Sequence, residues 1–435
     1  MDRSKTHETM NARLRRHLLA GIDPASLIAF RVLFGLVAAT GAARFLVYGW
    51  VEQFYEEPSF FFQYLGFEWV TPLPSPWMHI VFAALVILGL LIAAGIFYRA
   101  SVVSFFVLFT YVELIDVSVY LNHYYLVSVL ALWMCVLPLG ALKTSAPRWA
   151  LYALRLQVGA VYFYAAIAKA TGDWLVHAQP LQIWLSARTD VPFVGQAIEL
   201  MSLETFALLA AWAGFLHDLL IVPALLWRRT RALAFAALML FHLATHLLFN
   251  IGMFPLIMTC AATVFLAPSW PRRFVRKSSP EEHTHVAPKT PLIVFVALLA
   301  AVQLLAPLRA FAYGGNVLWH EQGMRFSWRV MCREKNGSVS FRVRNAEGRE
   351  TIVAPHRYLT DFQEREMSSQ PDLILQLAHH IGAEHPGSAV YADALVSLNG
   401  RRATRLIDPQ LDLMQVEDGQ ALATWILPAP TTPPH

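Results

Sequence analysis

Lys169 closes an apolar run, Val161-Tyr-Phe-Tyr-Ala-Ala-Ile-Ala-Lys169-Ala-Thr-Gly-Asp173-Trp174, in which no charge appears after Arg155. An ammonium at hydrocarbon depth costs roughly 2.5–3.5 kcal/mol by insertion scales. Such a group tends to shed its proton, and a neutral amine near pH 7 is a competent general base. The plainer alternative is a lysine near a helix end whose head reaches the headgroup layer. Glu113 and Asp116 lie one helical turn apart on a shared face, and Asn122 and His123 follow at the outer end of that segment. These carboxylates could equally pair with Arg31 or Arg44 to hold helices together. His242 and His246 have the i,i+4 spacing that can ligate zinc or haem iron. No acid lies between them and no third ligand is evident, so hydrogen-bonding histidines are expected and no metal. His217-Asp218 has the residue types of a His–carboxylate pair, yet neighbours in a helix do not face each other. A phosphate-binding Walker loop, a Rossmann glycine fingerprint and a nucleophile elbow are all absent from the sequence.

The elements that must position these residues are hydrophobic. Of 435 residues, 56% are hydrophobic and only 15% charged, and the mean hydropathy is +0.46. A soluble domain carries about 25% charged residues, so the composition is that of a membrane protein. The net charge of +4 is small, and its basic residues cluster beside apolar segments, a pattern of membrane orientation rather than nucleic-acid binding. Cys135, Cys260 and Cys332 make neither a disulfide framework nor a metal-ligand spacing. The basic N-terminus (Arg3, Lys5, Arg13, Arg15, Arg16) leads into an apolar stretch long enough to span, so no cleaved signal peptide is expected.

Apolar segments near 26–48, 78–97, 101–120, 124–141, 150–170, 203–227, 232–249, 251–267 and 291–309 each approach the ~20 residues of a spanning helix. The expected fold is a polytopic α-helical membrane protein of about nine spans with a C-terminal extramembrane α+β domain. With a cytoplasmic N-terminus, the inside loops are Tyr98-Arg99, Lys143–Arg148, Trp227–Arg231 and Arg272–Lys289, all basic. The outside loops carry Glu52, Glu56, Glu57, Glu68, Asp173 and Asp190 with very little Lys or Arg, as the positive-inside rule requires. His283 and His285 fall in a polar inside loop. The implied organisation is a cytoplasmic segment over 1–25, a membrane domain over 26–309, an outer α+β module over 310–428 and a disordered tail over 429–435. In the module, Phe326–Val330 and Val339–Val343 alternate like strands around an Asn336-Gly337 hairpin signal. Asn345–Gly348 reads as a turn before a strand over Thr351–Ala354, and Pro371–Ile381 as a helix with Pro at its start. Ala389–Ser397 and Thr404–Ile407 flank Asn399-Gly400 as a further hairpin.

The same residues carry a family resemblance. Phe30-Arg-Val-Leu-Phe-Gly35 resembles the opening of the vitamin K-dependent gamma-carboxylase family. Tyr111-Val-Glu-Leu-Ile-Asp116 with Leu121-Asn-His123-Tyr-Tyr-Leu126 resembles its aspartate and Asn-His pair, and Val161 through Lys169 to Asp173-Trp174 its lysine segment. Phe241-His242 and Ile251-Gly-Met-Phe254 are similar to the next membrane segment, and Phe326-Ser-Trp328, Val396–Asn399 and Ile407-Asp-Pro409 extend the match outside the membrane. The wider HTTM group shares only the membrane part. The resemblance implies an enzyme that couples oxygenation of reduced vitamin K (phylloquinol or menaquinol) to its epoxide with deprotonation and carboxylation of a glutamate, with O2 and CO2 as co-substrates. It implies Lys169 as the initiating base, with Asn122 and His123 hydrogen-bonding quinone oxygens. Asp116, His242, Asp173 and Trp174 are implied at the quinone site.

Two departures bear on that expectation. Animal members often carry two adjacent lysines, whereas Ala168 precedes Lys169, and their outer regions are longer than this compact one. Epoxidation of a quinol without protein carboxylation therefore stays open, as does a transporter or lipid-binding protein, although paired half-repeats and broken helices are not evident. The expected partners are the bilayer, a quinol and a glutamate-containing protein or peptide, with no nucleic acid. The expected location is a bacterial inner membrane, N-terminus cytoplasmic and module periplasmic.

Overall fold

A computed structural model describes residues 10–140, 145–274 and 288–434; His283, His285, Lys143, Arg3 and Lys5 lie outside the described residues. Each of the nine apolar segments forms a helix. We label them α1 (Ala25–Val47), α2 (Trp77–Ala94), α3 (Tyr98–Ile115), α4 (Asn122–Val136), α5 (Arg148–Lys169), α6 (Leu203–Leu226), α7 (Arg231–Leu248), α8 (Phe254–Ala262) and α9 (Thr290–Leu305). Seven of these segments are long and apolar enough to cross a membrane, while α4 and the α8 segment, which runs on to Phe265, are shorter. The molecule is thus a mostly helical polytopic membrane protein with a sheet-containing C-terminal region.

Side-chain size sets how closely the helices approach. A Cβ on Gly35 would stand 2.4 Å from the Gly89 carbonyl oxygen, and one on Gly89 would stand 2.8 Å from the Ala39 nitrogen. The backbones of α1 and α2 therefore touch, the packing that small residues permit in lipid, where no hydrophobic drive separates helix from tail. Gly35→Leu should force the pair apart at a cost of about 3 kcal/mol. The expected readout is loss of the monodisperse peak in detergent; a wild-type profile and melting point would contradict the close approach.

A buried polar chain fixes α5 between its neighbours. Trp133 Nε1 donates to Gln157 Oε1 at 3.0 Å, Gln157 Nε2 to Gln303 Oε1 at 3.3 Å, and Gln303 Nε2 to the Tyr125 hydroxyl at 2.9 Å. These amides link α4, α5 and α9, and each finds a partner, as a low-dielectric interior demands.

The outer module is a four-stranded antiparallel sheet. Its strands are β1 (Lys335–Arg344), β2 (Glu350–Val353), β3 (Ala389–Leu398) and β4 (Thr404–Arg405), in the order β2-β1-β3-β4. Between them lie helices α10 (Asp361–Met367) and α11 (Pro371–Glu384). Alternation puts Val390, Ala392, Ala394, Val396 and Leu398 of β3 on one fully buried face. The apolar stripe Leu373, Ile374, Leu377, Ala378 and Ile381 of α11 belongs to the same core. The Asn399-Gly400 hairpin is present, both residues having positive φ (49° and 79°) as a type I′ turn needs.

Two local expectations are corrected. Asn336-Gly337 is not a turn: both lie inside β1, paired with Ser397 and Val396. Glycine is required there because a Cβ would sit 2.1 Å from the Ser368 carbonyl oxygen, which is close backbone approach rather than chain reversal. Phe326–Val330 is not a strand either, since Phe326, Trp328 and nearby Met331 take left-handed φ values of 61°, 58° and 50°. At the C-terminus, residues 429–434 form no helix or strand, yet Arg401 Nε donates to the Thr432 carbonyl at 2.7 Å.

Candidate functional site

Lys169 is the last residue of α5, because Ala170 (φ −76°, ψ 58°) leaves helical geometry and Thr171 caps the next short turn by accepting from Trp174 N. A lysine at a helix end can reach for water, but this one is only 6% exposed. Its Nζ donates to Asp218 Oδ2 of α6 at 2.9 Å and to the Val330 carbonyl at 3.3 Å, with the Ala165 carbonyl at 3.5 Å. The Trp174 ring centroid is 5.3 Å away, and Trp174 Nε1 donates to the Ala211 carbonyl of α6. The snorkelling alternative is set aside by this enclosure.

Lys169, Asp218, Trp174, Tyr162 and His242 line a cavity of about 210 Å³ whose other walls are mostly apolar, from α5 to α8 and their connections together with Leu181, Trp184, Leu185, Val330 and Met331. His242, 2% exposed, has its Nε2 2.8 Å from the Tyr162 hydroxyl, while its Nδ1 is buried with no hydrogen-bond partner among the described residues. His217 turns the other way from Asp218 and stacks on Phe241 at 3.9 Å. His246 is exposed, not gathered with His242.

Asn122 and His123 line a second cavity, of about 570 Å³. Both residues start α4 rather than ending α3. The first and second cavities share Ile251, Phe254, Val330 and Met331 as lining residues, so this thin partition stands between them. Asn122 Nδ2 donates to the Arg329 carbonyl at 3.3 Å, next to the Val330 carbonyl used by Lys169. The left-handed 326–331 segment thus offers consecutive carbonyls to the two groups, and strained backbone of this kind persists where surroundings over-determine it. A third cavity, about 210 Å³ and polar, shares Asn122 and Met331 with the second and is lined by Arg325, Arg329 and Arg333. Arg325 is paired with Asp372, and Arg333 with Glu321. Arg329, 9% exposed, has no carboxylate partner among the described residues and lies over the Phe311 ring at 5.7 Å.

Over residues 20–270 the chain matches the HTTM domain, and over 288–432 it matches the vitamin K-dependent gamma-carboxylase, lumenal domain. The chain belongs to the vitamin K-dependent gamma-carboxylase family. No solved structure matches it.

In this gamma-carboxylase family member, two of the expected quinone-site residues face elsewhere. Asp173 receives Arg401 Nη2 on Oδ1 at 2.6 Å and Arg401 Nη1 and Asn399 Nδ2 on Oδ2 at 2.7 and 2.9 Å. It ties the end of the lysine helix to the Asn399-Gly400 hairpin and lines none of the three cavities. Asp116 ends α3 with extended geometry (φ −143°, ψ 120°), so it shares no helical face with Glu113. It accepts from Ser118 N and from Gln363 Nε2 of α10, each at 2.8 Å. Arg31 instead donates to the Leu139 carbonyl, and Arg44 lies over Trp50.

Burial pushes the Asp116 carboxyl up to about 6, against the lowering effect of the Ser118 and Gln363 donors. The unfolded value is near 3.9, so the folded state prefers the protonated form. Stability from this group is fully present below about pH 4 and lost as pH rises through about 6, by about 3 kcal/mol in all. Relative to Asp116→Asn, the wild type should lose stability between pH 4 and 7 in thermal melts; parallel melting curves would refute this.

Asp218, Tyr162, Arg329 and the partition were missed as site elements. Asp218 did have a signal: an acid amid an apolar span demands a buried partner, and Lys169 is the complementary charge. Arg329 and Met331 carried none, since only tertiary folding brings the module's 326–331 segment to the helix ends.

Proposed function

We propose that the chain is a quinol-dependent gamma-carboxylase of the membrane, using reduced vitamin K, O2 and CO2 to carboxylate glutamate in a protein or peptide. The observation carrying this reading is the adjacency of an apolar, ion-pair-containing cavity to a larger cavity of mixed lining across the Val330–Met331 partition, with a polar cavity adjoining the second at Asn122 and Met331. A lipid-soluble reductant and a water-soluble acceptor could thereby meet without sharing a solvent.

The residues fit a naphthoquinol. At about 210 Å³ the first cavity is smaller than drug-sized sites of roughly 300–1,000 Å³, suiting a ring with its isoprenoid tail left in the bilayer. His242 Nδ1, orphaned and buried, supplies a hydrogen-bonding position for a quinol hydroxyl, and Trp174 supplies a flat wall. When bound, the quinol supplies, through its reaction with O2, the strong base needed to remove a γ-proton from glutamate. The Lys169–Asp218 pair is the acid–base unit beside it, and the apolar walls exclude the water that would quench the base. His123, whose ring nitrogens have no hydrogen-bond partner among the described residues, and Asn122 face the acceptor side. Arg329 provides the counter-charge for an acceptor carboxylate. The basic cytoplasmic loops support an N-terminus inside a bacterial inner membrane and a periplasmic module.

The test is purified protein in a bilayer mimic with reduced vitamin K or menaquinol, a Glu-containing peptide and labelled bicarbonate. Epoxide and fixed label are scored separately. Both products are expected; epoxide without label would reduce the activity to quinol epoxidation, and neither product with either quinol would sink the reading. Arg329→Gln should cut label fixation at low peptide by about 100-fold, within the 2–5 kcal/mol lost when one partner of a buried charge pair is removed. Epoxide formation should change little, and equal loss of both products would remove Arg329 from the acceptor side.

A further inference from the structure

The end of the membrane domain away from the module carries a surface that the three cavities do not touch. Helix α5 runs 22 residues from Arg148 to Lys169, about 33 Å at 1.5 Å per residue. Its Lys169 end meets Val330 of the module, so its Arg148 end lies about one bilayer thickness away, at the opposite headgroup layer. A ten-residue helix, Met10–Leu19, is pinned there. Arg148 Nη1 donates to His17 Nδ1 at 2.8 Å, which leaves His17 Nε2 to donate to the Tyr152 hydroxyl at 3.0 Å. Gly21 and Ile22 pair with Pro147 and Ala146, and α1 enters the membrane at Ala25. Only residues 20–24 separate the two helices, so the first cannot leave the membrane surface.

Met10, Leu14 and Leu18 form an i, i+4, i+8 stripe along this helix. The protein leaves most of it bare, Met10 being 84% and Leu14 56% exposed. Arg13 and Arg15 stand on either side of Leu14, each about 100° round the helix from it. Both are exposed and have no hydrogen-bond or ion-pair partner among the described residues. Arg273 and Phe274 are exposed at the same end, beside the Arg272–Asp23 pair. Across residues 10–24, 145–149 and 267–274, Asp23 is the single carboxylate, and Arg272 takes it. We propose that Met10–Leu19 lies in the headgroup layer and binds anionic phospholipid. Met10, Leu14 and Leu18 enter the acyl boundary, and Arg13 and Arg15 reach phosphates on either side of the stripe. An apolar stripe flanked by arginines at this level fits a lipid surface in both shape and charge. The inference stands independently of the quinol reading.

A ten-residue helix is marginal in water by itself, so amide hydrogen exchange over residues 10–19 reports what holds it. The full chain is placed in nanodiscs of phosphatidylcholine alone, or of phosphatidylcholine with phosphatidylglycerol. Exchange over residues 10–19 is expected to slow when phosphatidylglycerol is present. The double variant Arg13→Gln/Arg15→Gln should lose about 25-fold of that protection, a factor of about five for each arginine near an anionic leaflet. High salt should reduce it in the same way by screening. Leu14→Ser should speed exchange in both lipids, while α5 and the module exchange alike in every arm, which shows that each variant is folded. Equal exchange in the two lipids, or a phosphatidylglycerol effect that the double variant keeps, would overturn the assignment. Slow exchange in detergent and in both lipids alike would also overturn it, because protein contacts alone would then hold the helix. Protection in neither lipid would leave the stripe to a soluble partner and reject a lipid occupant.

Discussion

Replacement of Lys169 by Met is expected to abolish quinol turnover and to lower the stability of the folded chain by about 3–5 kcal/mol. The stability loss arises because Asp218, with 6% side-chain exposure and its only cation among the described residues 2.9 Å away, would be left as a lone buried carboxylate. Asp218→Leu alone should cost a similar amount by stranding the ammonium. The double variant Lys169→Met/Asp218→Leu should recover most of the stability, since matched apolar side chains often replace a buried ion pair at no cost. It should nevertheless remain inactive. Thermal unfolding of the four proteins in one detergent, with epoxide yield measured in parallel, gives the cycle. Additive losses would show that the two charges do not depend on each other, and turnover in the double variant would show that the pair is scaffolding.

Arg401→Met is expected to cost about 2–3 kcal/mol, somewhat under the roughly 3–5 of a fully buried pair, because these side chains keep 10% and 14% exposure. Asp173 stands four residues after Lys169, so the same change should loosen the end of α5 and reduce turnover without any loss of a cavity-lining group. Burial would by itself raise the Asp173 carboxyl, but the Arg401 and Asn399 donors outweigh it and hold the group below the usual carboxylate range. A depressed carboxylate contributes stability that is fully present above its unfolded value near 3.9 and lost as pH falls through its lower folded value. The wild type should therefore converge on Arg401→Met in acid, below about pH 4, and exceed it at neutral pH. A constant gap across that range would separate the latch from its carboxylate.

The membrane domain was legible because its cause is local. Nine apolar runs, each near the length of a bilayer crossing, became nine helices; α4 and α8 fell short because Leu137 and Leu266 leave helical geometry early. The module's α11 and the Asn399-Gly400 turn were equally legible, from periodicity and from residues that tolerate positive φ. Asn336-Gly337 misled for the same local reason. Its glycine answers a backbone approaching from Ser368, a contact between segments that no short window contains.

Sequence alone determined that this chain lives in a membrane, that it belongs with the gamma-carboxylases, and that Lys169, Asn122, His123 and His242 merit attention. Those conclusions need only composition, period and motif. Tertiary structure decided which charges meet and which walls divide them. It paired Lys169 with Asp218 across 49 residues of sequence and turned Asp173 and Asp116 toward the outer module. It also set Val330 and Met331, with Ile251 and Phe254, between the apolar cavity and the larger one lined by Asn122 and His123. Buried charges must find partners wherever folding brings them, and pairings made across helices leave no spacing rule in the chain.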